Sequence, residues 1–203
     1  AYTGGINIAD EYVNRINRFG YWKDDAVRFF GDAVAGFTAL FLEIWNIETP
    51  DGFDNYESYI NAAKGACQIN NGGYIVPFGD NPIDDYPVGK RAYIDNLSNA
   101  HDHVYIATPY LVIDNEMFEA LRFAAQKGIK VKIMMPHHPD KAYAFWLAHT
   151  YYTELVNAGI EIYEFMPGFL HSKLSVVDGK RAIVGTVNHD FRRMYLHYEC
   201  GAY

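Results

Sequence analysis

The stretch His171 to Asp190, HSKLSVVDGKRAIVGTVNHD, gathers side-chain types suited to attack on phosphorus. His171 and Lys173 stand two apart in a segment that reads as a strand, so both side chains are expected on one face. An Asp178-Gly179 turn then folds the chain back as a hairpin, bringing Gly185, Thr186 and Asn188 alongside. An imidazole, an ammonium and an amide would converge there. Imidazole serves as nucleophile or proton donor, the ammonium neutralises non-bridging oxygens, and the amide fixes another oxygen. The alternative is a half-buried strand whose His and Lys simply face solvent. On average residue usage, His, Lys and Asp at these offsets arise by chance in roughly one in fifty to one in a hundred chains of this length. Gly185 and Asn188 at fixed places downstream make accident rarer still. No carboxylate cluster of the kind that binds a metal is evident, and the chemistry needs none, so no cofactor is expected. His137-His138 sit in a Pro-flanked turn, where adjacent side chains point apart and read as solvent-facing.

The elements that must position these groups follow from periodicity. Strands are predicted at Tyr74–Phe78, Val104–Thr108, Lys130–Met135, Ile160–Phe165, Lys173–Val177 and Ala182–Val184. Helices are predicted at Gly89–Ala100, Asn115–Gln126 and Lys141–Asn157, with Gly128 and Gly159 where C-terminal caps belong. In the last of these helices Tyr143, Phe145, Trp146, Tyr151 and Tyr152 read as a core stripe, with membrane-interface contact the lesser reading. This alternation argues for an α/β layered fold with a mostly parallel or mixed sheet. Upstream, Asp25–Phe30 reads as a strand. Asp32–Trp45 reads as a helix with Asp32 as its N-cap, and Tyr59–Ala66 as a possible short helix. The Asn-, Asp- and Gly-rich stretch from Asn46 to Gly73 is the candidate connection between two lobes.

Composition narrows the class. The 203 residues are half apolar, which supports a sizeable core, and carry a formal charge of −8. That balance discourages nucleic-acid binding, which relies on Lys and Arg neutralising phosphates. Cys67 and Cys200 match no metal spacing and suggest free thiols in a reducing compartment. No signal peptide is expected, and the uncharged run Ala33–Leu42 is too short to span a bilayer. The opening AYTGGIN reads as a strand end entering a Gly-Gly turn. The closing LHYECGAY alternates like a strand cut mid-sheet, as in a piece of a longer protein.

H-x-K-x4-D followed by G-[ST]-x-N resembles the signature of the phospholipase D superfamily, and HSKLSVVD with GTVN matches it position by position. TGGIN (Thr3–Asn7) mirrors VGTVN (Val184–Asn188), so the opening resembles the tail of a first such motif. Within the superfamily, the segments TGGINIADEYVN, RFGYWKDDAVRFFGDAV, ATPYLVID and MPHHPDKAYAFWLAHTYYTEL are similar to bacterial cardiolipin synthases. Two departures stand out: Thr186, where serine or alanine is also common, and His189, where leucine is expected.

The resemblance implies a phospholipase D-like sandwich, a mixed sheet flanked by helices. Residues 1–67 would be the remnant of a first lobe with its connection, and residues 68–203 a second lobe carrying the motif. It also implies a phosphatidyltransferase joining two phosphatidylglycerols through a phosphohistidine, acting at the bacterial cytoplasmic membrane through the full-length protein. A phospholipase D-type phosphodiesterase or a one-motif dimeric nuclease is the alternative. His171 would be general acid and then base. Lys173 and Asn188 would hold phosphate oxygens, joined by Asn7, while Thr186 would shape the turn. Asp178 belongs to the signature, although an Asp-Gly turn has its own conformational reason. Glu199 is expected to hydrogen-bond His171, and Asp24, on the analogous strand, to serve the histidine of the first motif. Tyr110 and Phe169 are candidates to line the substrate cleft, with core or rim packing the alternative.

Overall fold

A computed structural model describes residues 1–49, 55–64, 72–83, 86–190 and 198–203. Cys67, Asn71, other parts of the expected connection and Arg192-Arg193 lie outside these residues. In chain order the elements begin with β1 (Tyr2–Gly4), a 3-10 turn (Asp10–Val13), β2 (Tyr21–Lys23), β3 (Ala26–Arg28), α1 (Ala33–Glu48) and α2 (Tyr56–Lys64). They continue with β4 (Pro77–Asp80), α3 (Val88–Ser98), β5 (His103–Ala107), β6 (Leu111–Val112), α4 (Asn115–Gln126), β7 (Lys130–Pro136) and α5 (Ala142–Asn157). The chain ends on β8 (Glu161–Phe165), β9 (Gly168–Leu170), β10 (Leu174–Val177), β11 (Arg181–Gly185), β12 (His189–Asp190) and β13 (Glu199–Ala202).

Seven of the strands form one sheet in the order β4-β13-β11-β10-β5-β7-β8. The β5-β7-β8 side is parallel and the remainder antiparallel, so the sheet is mixed as expected. The helices that connect the parallel strands bury one stripe each. On α4, Met117, Phe118, Leu121 and Ala124 enter the core at helical spacing, and on α3 Tyr93 and Leu97 do so. They meet Val104, Ile106, Val131, Ile133, Val177 and Ile183 from one face of the sheet. On the other face Tyr105, Met134 and Tyr163 remain substantially exposed.

Local chemistry fixes the ends of these elements. Asp114 caps α4 by accepting the Met117 N–H at 2.9 Å. Both carboxylate oxygens of Asp80 accept the Gly89 N–H, at 3.0 and 2.9 Å, in the first turn of α3. Gly128 and Gly159 follow α4 and α5 with φ of +88° and +95°, the left-handed conformation expected of them. Asp32 does stand at the N-cap of α1, but its side chain makes no capping bond. The aromatic stripe of α5 is only partly buried: Tyr151 and Tyr152 pack against the core, whereas Tyr143 and Trp146 face outward.

His189 occupies the place where leucine was expected, and the structure gives it a leucine's surroundings. It is fully buried, its ring lies 4.2 Å from that of Tyr93, and neither ring nitrogen finds a partner among the described residues. Burial alone lowers its pKa from 6.5 to about 4. The unfolded chain therefore takes up this proton first as pH falls, and stability is lost between pH 6.5 and 4. We expect His189→Leu to remove that loss, worth on the order of 3 kcal/mol at the acid end. Denaturant titrations of both proteins from pH 7 to 4 measure it, and curves that stay parallel would disprove it.

Candidate active site

His171 and Lys173 do not lie within a regular strand but bridge the end of β9 and the start of β10. Two contacts hold the bridge extended. The His171 N–H donates to the Lys23 carbonyl at 2.8 Å, and the Gly185 N–H to the Lys173 carbonyl at 3.3 Å. The first continues a parallel pairing in which Tyr21, Trp22 and Lys23 of β2 register with Gly168, Phe169 and Leu170 of β9. That pairing went unrecognised in the sequence, where only Gly20 followed by Tyr-Trp-Lys hints at a short strand. Gly168 permits it, since a Cβ there would sit 2.1 Å from the Tyr21 carbonyl oxygen.

The pairing delivers Asp24 to His171. Asp24 Oδ2 lies 2.9 Å from His171 Nδ1, with the carboxylate side chain only 2 % exposed. Trp22 Nε1 donates to the same oxygen at 3.4 Å, and the Asp25 N–H to Oδ1 at 2.9 Å. The Gly5 carbonyl is 3.0 Å from His171 Nδ1 as well. A side chain on Gly5 would collide with Asp24 Oδ1 at 2.0 Å and with the His171 carbonyl at 2.7 Å, so this position admits only glycine. The carboxylate that meets His171 is thus Asp24, not Glu199 as the sequence suggested. Serial position after a motif does not reveal which strand pairs across to it.

Nδ1 faces the Asp24 carboxylate and the Gly5 carbonyl, and Lys173 Nζ lies against the edge of the ring, 2.7 Å from Nδ1 and 2.9 Å from Nε2. Lys173 is 3 % exposed, and its ammonium also donates to the His171 carbonyl. The rings of Tyr12, Trp22 and Phe169 surround the imidazole at centroid distances of 5.2, 5.5 and 5.9 Å. Burial is the main influence on His171 and lowers its pKa; Asp24 pulls the other way, and Lys173 adds to the lowering. The net direction is down, so the resting ring is neutral. Burial likewise raises the neighbouring Asp25 carboxyl above its ordinary range, with Asp24 adding and Lys173 opposing.

A cleft of about 290 Å³ opens here, and His171, Lys173, Asn188, Thr186, Glu199 and Asn7 all line it. Asn188 is 1 % exposed, and its Oδ1 has no partner among the described residues. The Thr186 hydroxyl is engaged with the backbone of Cys200, accepting its N–H at 3.0 Å. Asn7 Nδ2 donates to the Tyr12 hydroxyl at 2.8 Å.

Three candidates fall outside the cleft. Asp178 lies at the far end of β10, where it and Gly179 adopt φ of 54° and 62° in the hairpin turn. Its carboxylate accepts the N–H groups of His101, Asp102 and His103 at 2.9–3.0 Å, and these, Asp102 and His103 foremost, lower its pKa to about 2. Its work is to tie the hairpin to β5. Tyr110 donates to Asp140 Oδ2 at 2.6 Å and lines a neighbouring pocket, its phenol pKa raised chiefly by burial. Phe169 is buried and packs on Trp22. Tyr12, which sequence reasoning passed over, touches the catalytic candidate instead. Among the described residues no group of His, Cys, Asp and Glu is arranged to hold a metal ion.

Comparison with known proteins places this chain. The family model "Cardiolipin synthase, PLD-like domain" matches residues 93–203. The chain belongs to that family. It is 37 % identical, over its whole length, to a cardiolipin synthase of Oceanobacillus iheyensis, and covers 41 % of that protein. It is 49 % identical, again over its whole length, to an uncharacterized protein of Streptococcus mutans, of which it covers 43 %. The chain thus spans well under half the length of the curated relatives it matches. Among solved structures, the phosphatidylserine synthase of Haemophilus influenzae superposes with a TM-score of 0.69 at 15 % identity, over 99 % of this chain and 54 % of that one. At that identity the likeness concerns the fold.

If Asp24 is the group that supports the His171 ring, Asp24→Asn should lower the His171 pKa further, while Glu199→Gln leaves it nearly unmoved. Proton NMR titration of the His171 ring in both variants reads this directly. A larger shift in Glu199→Gln would reverse the assignment.

Proposed function

We propose that the full protein is a phosphatidyltransferase that joins two phosphatidylglycerols into cardiolipin and releases glycerol. The observation that carries this reading is the convergence of His171, Lys173 and Asn188 on one cleft, with His171 Nδ1 anchored to Asp24. Such a set suits a phosphodiester: a buried ammonium to meet non-bridging oxygens, a buried amide whose Nδ2 would donate to another, and an imidazole to exchange a proton.

In this reading a histidine from a second half of the protein attacks phosphorus. The bond to glycerol breaks as His171 Nε2 donates its proton to the departing oxygen. The bound phosphodiester's negative charge opposes the burial that otherwise keeps the ring neutral, so His171 is charged when the acid is needed. In the second step the primary hydroxyl of another phosphatidylglycerol gives its proton to His171 as its oxygen attacks, and the phosphorus–nitrogen bond breaks. Asp24 steadies the imidazolium in both steps.

Among the described residues the cleft contains a single histidine, which cannot be nucleophile and acid at once on opposite sides of one phosphorus atom. The 203-residue chain alone is therefore inactive in this reading. In the full protein, His171→Ala should lower cardiolipin formation from labelled phosphatidylglycerol by at least the roughly 10²–10⁴-fold typical of acid–base catalysis. Lys173→Ala should cost comparably, because the charge it meets grows toward the transition state. Undiminished turnover in His171→Ala would refute the mechanism. Hydrolysis to phosphatidic acid without cardiolipin would instead indicate a phosphodiesterase.

A further inference from the structure

The segment from Asn7 to Lys23 is a cap whose inner side packs on the site and whose outer side exposes apolar side chains among polar and charged ones. Asn7 lines the cleft, and Tyr12 and Trp22 lie against the His171 ring. Asn14 locks the cap shut: its Oδ1 accepts the Trp22 N–H at 2.7 Å and its Nδ2 donates to the Trp22 carbonyl at 2.9 Å. The outer side runs the other way chemically. Ile8, next to Asn7 at the cleft wall, is fully exposed, and Val13, Ile16 and Tyr21 are each more than half exposed. Scattered exposed apolar residues are ordinary, but three aliphatics and an aromatic within fourteen residues of a cap that touches the catalytic candidate are a feature to explain. Beside them, the Arg15 and Arg18 side chains are 79 % and 61 % exposed and lie 3.8 and 3.2 Å from Asp10 and Glu11, solvent-facing pairs that cost little to exchange for lipid phosphates. Although the whole chain is strongly acidic, this segment carries one more Lys and Arg than Asp and Glu.

We propose that this outer face is a membrane-docking surface that settles into a bilayer bearing anionic phospholipid headgroups. Aliphatic side chains entering the headgroup–acyl boundary with flanking arginines among the phosphates is how interfacial segments hold a lipid surface. The placement has a functional logic. A phospholipid in the bilayer presents its headgroup phosphate at the surface, and a cap seated there sets the cleft wall at the level where that phosphate emerges. The site need not then draw its substrate far out of the membrane. The proposal rests on the reading of the substrate as a phospholipid, and deepens it by naming the surface that meets the bilayer.

The test uses the full-length protein with Ile8→Asp and Ile16→Asp, singly and together. Both positions are outward-facing, and Ile8→Leu serves as the conservative control. Sedimentation with phosphatidylglycerol vesicles is expected to show roughly tenfold or more weaker binding in the double variant, given what an isoleucine gains on leaving water. Ile8→Leu should bind like the parent, and the parent should bind phosphatidylcholine vesicles more weakly than phosphatidylglycerol vesicles. Turnover on vesicle phosphatidylglycerol should fall in step with binding. Turnover on a short-chain phosphatidylglycerol dispersed as monomers should stay unchanged. Unaltered vesicle binding, equal binding to the two vesicle types, or an equal loss on monomeric substrate would each overturn the proposal. If the parent turns over neither substrate yet the variants still lose vesicle binding, the docking surface stands and the phosphatidyltransferase reading fails.

Discussion

The contact between Asp24 and His171 organises this molecule. It exists because a three-residue strand near the start of the chain lies parallel to β9, and because Gly5 and Gly168 bring backbones closer than any side chain would allow. Everything near the catalytic candidate follows from that strap: the carboxylate at Nδ1, the Gly5 carbonyl beside it, and the aromatic wall of Tyr12, Trp22 and Phe169. The imidazole owes its orientation to residues from both ends of the chain.

Electrostatics here is a balance of opposed influences. Withdrawing His171 from water favours its neutral form, and the ammonium of Lys173 favours it too, while Asp24 favours the charged form. A buried Lys is costly to maintain, and here the His171 carbonyl accepts from the Lys173 ammonium while the Asp25 carboxyl feels its charge. The balance leaves the imidazole neutral at rest.

Local regularities carried most of the fold into the sequence. Helix α4 follows from its apolar spacing and from Asp114 ahead of it, and the β10–β11 hairpin from Asp178-Gly179, whose left-handed turn that residue pair tolerates. The cluster His171, Lys173 and Asn188 was legible for the same reason, because a hairpin fixes its own register. What could not be read was which distant strand lies beside which. β2 is too short to show a period, so its pairing with β9 was invisible, and Glu199 was expected at His171 while Asp24 was assigned to the other motif's histidine. Tyr12 was missed likewise, since nothing local marks a 3-10 turn as the lid over a histidine 159 positions away. Tyr110 looked like a cleft residue at a strand end, but a carboxylate thirty positions on holds its hydroxyl elsewhere.

The distance along the chain between Asp24 and His171, 147 residues, bears on how the protein can be divided. The region recognisable as the family domain begins at residue 93 and contains the histidine, the lysine and the asparagine, yet not the carboxylate. A boundary drawn by similarity would therefore cut through the site. Excised along that line, the domain would lose β4 from the edge of its sheet as well as the strand that aligns the imidazole. The stretch recognisable by similarity and the stretch that holds the histidine in register are different lengths of polypeptide.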